Sequence, residues 1–268
     1  MTRLIEDWIK SIGMSMKDYE FDLMKKTGLS LTALASSASE VPIDKLIITA
    51  QNTKVGVIPF TAGLGVIGSF AESVATVCRS MNFNAFVTTE TDASGIYEAC
   101  LRGAEVLFMA DDHRFIALNI KTGVVAENSH ATAKGFISAL RSAAGGLKDK
   151  QVLVIGGGVV GQEALHILKV LGAKPVGYDN NPQVLSDMAE NGYATIHNVS
   201  QIAEYPLVFD ASSSGDWIES GMLHPDALIS APGVPLSLNQ EAYERHGERL
   251  IHDCLPIGVA TMLALAYK

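Results

Sequence analysis

The chain has 268 residues, 48% of them hydrophobic, and a formal net charge of −9, enough length and apolar content for two compact domains sharing a cleft. No Lys/Arg cluster accompanies that acidic balance, which excludes a nucleic-acid surface and suits a cationic small molecule as well as it suits plain solubility. Cys78, Cys100 and Cys254 lie too far apart for a disulfide framework or a zinc pair.

In chain order, Leu4, Ile5, Trp8, Ile9 and Ile12 recur at helical spacing, as do Tyr19, Leu23 and Met24 after a break at Gly13-Met14-Ser15, which predicts two short amphipathic helices. Core packing is their plain role; a terminal helix that closes over bound substrate is the alternative. The same terminus carries Arg3, Glu6, Asp7 and Lys10 rather than a basic-then-apolar leader, and no apolar run approaches a membrane span, so a reducing cytoplasm is the expected setting. From Val55 to Leu118 strands and helices alternate: strand over 55–58, helix over 67–81, strand over 85–87, helix over 94–101, strands over 105–109 and 115–119. Such alternation predicts a mostly parallel sheet covered on both faces. A helix over 131–144 then ends at Gly145-Gly146 and serves as the connector between the two domains.

The most informative segment comes next. Gln151-Val152-Leu153-Val154-Ile155 is a strand that runs into Gly156-Gly157-Gly158-Val159-Val160-Gly161, a helical stretch covers 162–171, and a second strand ends at Tyr178-Asp179, eighteen residues past Gly161. A pyrophosphate needs backbone N–H groups and the positive end of a helix without intervening β-carbons. Gly156 turns the chain, Gly158 lets backbone approach the phosphates, and Gly161 lets helix pack on strand, while the carboxylate of Asp179 hydrogen-bonds a ribose 2′-hydroxyl and repels a 2′-phosphate. No Arg or Lys occurs between Asp179 and Met188, so NAD is expected over NADP. The remaining elements are a helix over 184–191, strands over 207–209, 227–230 and 249–251, and a last helix over 257–266. Ligands of open α/β sheets lie beyond the carboxyl ends of strands, which directs Ala211 and Ser212 to the adenosine half and Pro232, Gly233 and the loop before the last helix to the nicotinamide half. The expected cofactor contacts are therefore Gly156, Gly158, Val159, Val160, Gly161, Asp179, Asn180, Ala211, Ser212, Pro232, Gly233, Leu255 and Ile257.

The fold expected is α/β, an NAD-binding Rossmann domain joined to an N-terminal α/β substrate domain. Its expected partition is a substrate domain over 1–128 with the N-terminal helices, a connecting helix over 129–149, the NAD domain over 150–254 and a C-terminal helix over 255–268. Gly63, Gly65 and Gly68 repeat the glycine spacing, but Pro59 and three further residues separate them from their strand. That segment is read as a substrate-side anion or main-chain site rather than a second cofactor site.

Hydride transfer needs a carbon held against the nicotinamide and a base for the adjacent heteroatom. Asp111-Asp112-His113-Arg114 breaks the apolar run 105–110 abruptly. Adjacent residues on an extended chain point apart, so one aspartate enters the cleft, Asp112 by preference, and the other caps or pairs with Arg114; a solvated turn is the alternative. Asp253 is a further candidate carboxylate, or else the N-cap of the last helix. His113, His130 and His252 are possible bases, and no metal-ligand spacing is present.

Several runs together resemble the pyrrolysine-forming dehydrogenases: Ile58-Pro59-Phe60-Thr61-Ala62-Gly63-Leu64-Gly65, Thr91-Asp92-Ala93-Ser94-Gly95-Ile96-Tyr97-Glu98-Ala99, the run from Gly103 to Asp112, and Ile251-His252-Asp253-Cys254-Leu255-Pro256-Ile257-Gly258. The resemblance implies NAD-dependent oxidation of the terminal primary amine of 3-methylornithyl-N6-lysine. Hydride loss gives an iminium ion, water releases ammonia, and the aldehyde condenses with the ornithyl 2-amine to close a pyrroline. It further implies Asp112 as the essential carboxylate with Asp111 beside it, Asp253 next to the substrate amine, Thr61, Ala62 and Gly63 in a substrate-contacting loop, and Leu4 on a helix that folds onto the ligand. Another two-domain dehydrogenase acting on an amino acid, shikimate or a folate is the nearest alternative; its lysine-dependent versions are disfavoured because no lysine lies between Lys54 and Lys121. A non-catalytic NAD sensor is the other, and a homodimer is the commonest assembly for such chains.

Overall fold

The computed structural model describes residues 12–268. It opens with α1 (Ile12–Thr27), α2 (Leu31–Ser39) and α3 (Ile43–Asn52). Helix α1 runs straight through Gly13-Met14-Ser15, where the sequence pattern predicts a break. A glycine costs a helix only ~1 kcal/mol against alanine, less than the burial of Met16 and Leu23 returns at roughly 1.5–3 kcal/mol per side chain. The helical segment read around Trp8, and the substrate contact expected of Leu4, lie outside the described residues. Hydrophobic periodicity assigns nothing to residues 31–52 in the reading above, yet Leu31, Leu34, Ala35 and Ala38 form one buried helical stripe and the Ser30 side chain caps it by accepting the Ala33 N–H.

Two sheets come after these helices. The first holds β1 (Lys54–Ile58), β2 (Asn84–Val87), β3 (Val106–Ala110), β4 (Phe115–Asn119) and β5 (Val125–Glu127) in the order β2-β1-β3-β4-β5. Strands β2, β1 and β3 are parallel, joined through α4 (Phe70–Ser80) and α5 (Asp92–Leu101). Strands β4 and β5 run antiparallel, so the sheet is parallel in one half only. A parallel crossover needs a dozen or more residues, and the turn between Ala110 and Phe115 is far too short to supply one.

Helix α6 (Asn128–Ala143) starts ahead of its predicted beginning because Glu127 accepts the N–H groups of Ser129 and His130. The second sheet is wholly parallel in the order β11-β10-β9-β6-β7-β8. It comprises β6 (Gln151–Ile155), α7 (Val159–Val170), β7 (Lys174–Tyr178), α8 (Pro182–Glu190), β8 (Ala194–Thr195), β9 (Leu207–Asp210), β10 (Leu228–Ala231), α9 (Gln240–His246) and β11 (Leu250–His252). Strand order reverses between β6 and β9, the switch point at which such sheets bind ligands.

Helix α10 (Pro256–Leu265) is apolar all round and buried along its whole length, as a helix without a polar face must be. It returns to the amino-terminal half, packing on α6, α2 and α4. Where it crosses α6, a β-carbon on Gly135 would lie 2.5 Å from the Ile257 side chain. One continuous core thereby links both sheets through α6 and α10.

Candidate active site

The carboxyl ends of both sheets open onto one cavity of about 1190 Å³. Its walls come from the loops after β1, β3, β6, β7, β9, β10 and β11, with the first turns of α6 between them.

On one side lies the glycine turn, and each glycine there answers to a different constraint. Gly156 has φ +89°, and a β-carbon would lie 2.9 Å from the Ala211 backbone. At Gly161 a β-carbon would come within 1.8 Å of the Gly156 carbonyl oxygen, so this residue sets the contact of helix with turn. Gly158 caps α7 in an extended conformation, and nothing lies within 4 Å of where its β-carbon would be. Only the cavity lies there. Backbone N–H groups of the first turn, at Val159 and Val160, lack intrahelical partners by construction, so the cradle fits a pyrophosphate.

Asp179 braces the same turn: Oδ2 accepts the Gly157 N–H at 2.7 Å and Oδ1 accepts the Asn181 N–H at 2.8 Å. Asp179, Asn180, Ala211, Ser212, Pro232, Gly233 and Leu255 all border the cavity. Ile257 does not; it is fully buried beneath the wall, and its N–H points to Asp253. Behind the wall, Asp210 is 1% exposed and accepts the Ser212 N–H and the Ser237 hydroxyl. Burial pushes its carboxyl above the ordinary range.

Across the cavity stand the other carboxylates. Asp111 and Asp112 point apart. Asp111 is exposed and accepts the N–H groups of Arg114 and His113 at 2.7 and 2.8 Å, which holds its carboxyl below the usual value. Asp112 reaches instead to the loop after β1, where Oδ2 accepts the Leu64 N–H at 2.7 Å. Gly63, with φ +70°, is pressed so closely on that carboxylate that a β-carbon would sit 1.9 Å from Oδ2. Of this loop Gly65, Val66 and Ile67 border the cavity, whereas Thr61, Ala62 and Gly63 do not. Thr61 is turned to Asp92, donating from its N–H at 2.9 Å and its hydroxyl at 2.6 Å.

Asp253 lines the cavity; the N-cap residue of α10 is Leu255, two places further on, although the Asp253 carboxylate does accept the Ile257 N–H of the helix's first turn. Oδ1 accepts the Leu255 N–H at 3.0 Å, and Oδ2 accepts the Tyr19 hydroxyl at 2.7 Å. Burial pushes its carboxyl up, and the Tyr19 bond opposes that rise in part. Burial also raises the Tyr19 phenol well above its usual value, so it remains a protonated donor at neutral pH. Sequence reasoning gives Tyr19 only a core role; helical spacing holds no sign of a partner 234 residues away. Asn128, Ser129 and Thr132 on the first turns of α6 also border the cavity; sequence reasoning misses them, although polar residues opening a helix after a strand are a usable signal.

Among the described residues lining the cavity, the charged ones are Asp111, Asp112, Asp179 and Asp253, all acidic. None of the three histidines considered as bases is on this wall: His113 lies on an exposed turn, His130 pairs with Glu163 at 2.9 Å, and His252 donates from Nδ1 to the Ala231 carbonyl at 2.7 Å. No cluster of metal-ligating side chains occurs among the described residues, and none of their helices is long and apolar enough to cross a membrane.

Comparison with known proteins bears on both halves. Residues 9–126 match the family described as pyrrolysine biosynthesis protein PylD, N-terminal domain, and residues 123–237 match the alanine dehydrogenase/PNT C-terminal domain. Over 264 residues the chain is 31% identical to the pyrrolysine synthase of Methanosarcina acetivorans, covering 98% of each. The Methanosarcina barkeri pyrrolysine synthase is also 31% identical, over 265 residues, with 98% of this chain and 97% of that one covered. Among solved structures, shikimate dehydrogenase from Aquifex aeolicus superposes with a TM-score of 0.55 at 15% identity, covering 81% of this chain and 91% of that one. Shikimate 5-dehydrogenase from Thermus thermophilus gives 0.53 at 16% identity, with 80% and 92% covered. At such identities these two establish the fold alone, an α/β architecture of the Rossmann type.

Proposed function

This chain belongs to the pyrrolysine synthase family, and on that footing we propose that it uses NAD to oxidise the terminal primary amine of 3-methylornithyl-N6-lysine, leading to pyrrolysine. The observation that carries the reading is the charge of the cavity: a phosphate cradle on one side, and aspartates as the sole charged groups among the described lining residues. A polycationic substrate is attracted by such a wall, whereas a 2′-phosphate beside Asp179 would meet a carboxylate and no cation.

NAD, when bound, accepts the hydride. The glycine turn and the α7 N-terminus would hold its pyrophosphate, and Asp179 would take the adenosine ribose. An alkylammonium cannot lose hydride until it is neutral, so a carboxylate must first hold the cation and then remove its proton. Asp112 does this in our reading, held at the cavity wall by the Leu64 N–H. Asp253 supplies a second negative group at the nicotinamide side, and its raised pKa favours proton acceptance. Asp111 holds the turn that presents Asp112. Hydrolysis of the iminium releases ammonia, and the aldehyde and the ornithyl 2-amine close the ring with loss of water.

The test is to mix protein, NAD and the dipeptide and to follow the absorbance of reduced nicotinamide. Stoichiometric reduction with ammonia release supports the proposal. NAD binding without turnover would support a sensor, and reduction by shikimate but not by the dipeptide would place the chain with the other two-domain dehydrogenases.

A further inference from the structure

We propose that Tyr19 is a positioning residue for this reaction: its hydroxyl, reaching from α1 across to the loop before α10, holds Asp253 so that the carboxylate presents a fixed oxygen to the substrate cation. The inference rests on the reading of Asp253 as a substrate-side carboxylate. The start of α10 does not require the tyrosine, because the N–H groups of Leu255 and Ile257 already meet Asp253. The phenol is therefore surplus to the helix end, and it takes the oxygen that the Leu255 bond leaves over. Tyr19 itself does not line the cavity, so it acts only through Asp253.

The surroundings make that bond consequential. The titratable groups that act on Asp253 are Tyr19 from α1 and His252 from its own loop, with the Cys254 thiol beside them, pushed up to about 11 by burial. Helix α6 presents neutral Asn128, Ser129 and Thr132 to the cavity, its His130 being paired with Glu163. Helix α10 carries no charged residue, and in α4 Glu72 and Arg79 pair with each other. Glu20 and Asp22 bear on Tyr19 from α1 itself, and Asp111 and Asp112 stand on the facing wall. Among the described residues no cation pairs with the carboxylate, and the phenol donor is the side-chain hydrogen bond that opposes its protonation.

Tyr19→Phe keeps the ring and removes that donor. We expect KM for the dipeptide to rise about tenfold or more, the order of one hydrogen bond to a charged group, while NAD affinity stays within about threefold. Without the donor the carboxylate protonates more readily, so the acid limb of kcat/KM moves to higher pH. Placing 3-fluorotyrosine at position 19 strengthens the donor and should move the limb the other way. Asp253→Asn separates the two layers of the argument. If it leaves turnover and KM unchanged, the assignment of Asp253 fails, and Tyr19 falls with it. If Asp253→Asn impairs turnover but Tyr19→Phe leaves both KM and the acid limb in place, Tyr19 is a packing residue and the proposal is overturned, whatever its effect on thermal stability.

Discussion

Gly158 and Gly161 sit three residues apart on one turn, and adding a single β-carbon should have opposite consequences at the two. At Gly158 the new atoms meet nothing of the protein within 4 Å, and the backbone there is extended, a conformation any residue adopts. Gly158→Val should therefore cost less than about 1 kcal/mol of stability, the difference between helix-capping residues. The space it fills is the space a pyrophosphate needs. Displacing the phosphates from two charge-assisted hydrogen bonds at roughly 1.5–3 kcal/mol each predicts a loss of ~3–6 kcal/mol, or at least a hundredfold in Kd. At Gly161 the β-carbon would stand 1.8 Å from the Gly156 carbonyl oxygen, so turn and helix must separate. Gly161→Ala should cost about 1–3 kcal/mol, as overpacking does, and lower Tm by several degrees at ~2–4 °C per kcal/mol for a chain of this size. Calorimetric titration with NAD and thermal unfolding of both variants check the pair. Near-normal NAD affinity in a well-folded Gly158→Val protein would refute the reasoning and move the cofactor to the Gly63–Gly68 segment.

Asp112→Asn keeps the shape and the Leu64 contact but loses the negative charge; we expect kcat to fall ~10²–10⁴-fold with NAD affinity within about threefold, and Asp111→Asn to do less harm, measured by steady-state kinetics. If both variants keep more than half of wild-type turnover, the acidic pair is only a solvated turn. Cofactor choice depends on Asp179: kcat/KM for NAD should exceed that for NADP at least ~tenfold, about 1.4 kcal/mol, and Asp179→Ser combined with Asn180→Arg should narrow that ratio. Asp210 makes a prediction about stability and pH. Its folded pKa is raised by burial, so the unfolded chain ionises first, and stability is lost as pH climbs from the ordinary carboxylate range, near ~4, through the raised folded value. Asp210→Asn, which cannot ionise, should gain thermal stability relative to the wild type at neutral pH and lose that advantage towards pH ~4; an advantage that grows on acidification would contradict the burial argument.

The glycine turn, its flanking strands and Asp179 were all legible in the sequence because their physics is local: residues 151–179 contain the strand period, the turn glycines, the helix start and the carboxylate that closes it. The break after β3 at Asp111 was legible for the same reason; the antiparallel return of β4 departs from the mostly parallel sheet that the alternation predicts, because four residues leave no room for a crossover. Helices α2 and α3 carried a readable stripe that pattern reading passed over. Other features depend on contacts no window of sequence contains. That Asp112 fastens to Leu64 while Thr61 turns away to Asp92 depends on how two loops from different strands meet. That Asp253 both meets the first turn of a helix and faces the cavity, with Tyr19 on its other oxygen, depends on an apolar terminal helix burying itself against α6 and so bringing residues 234 apart in the chain to within a hydrogen bond. Local backbone sterics and hydrophobic period specify the elements and the glycine turn; the acidic wall opposite is assembled only when long-range burial decides which of those elements touch.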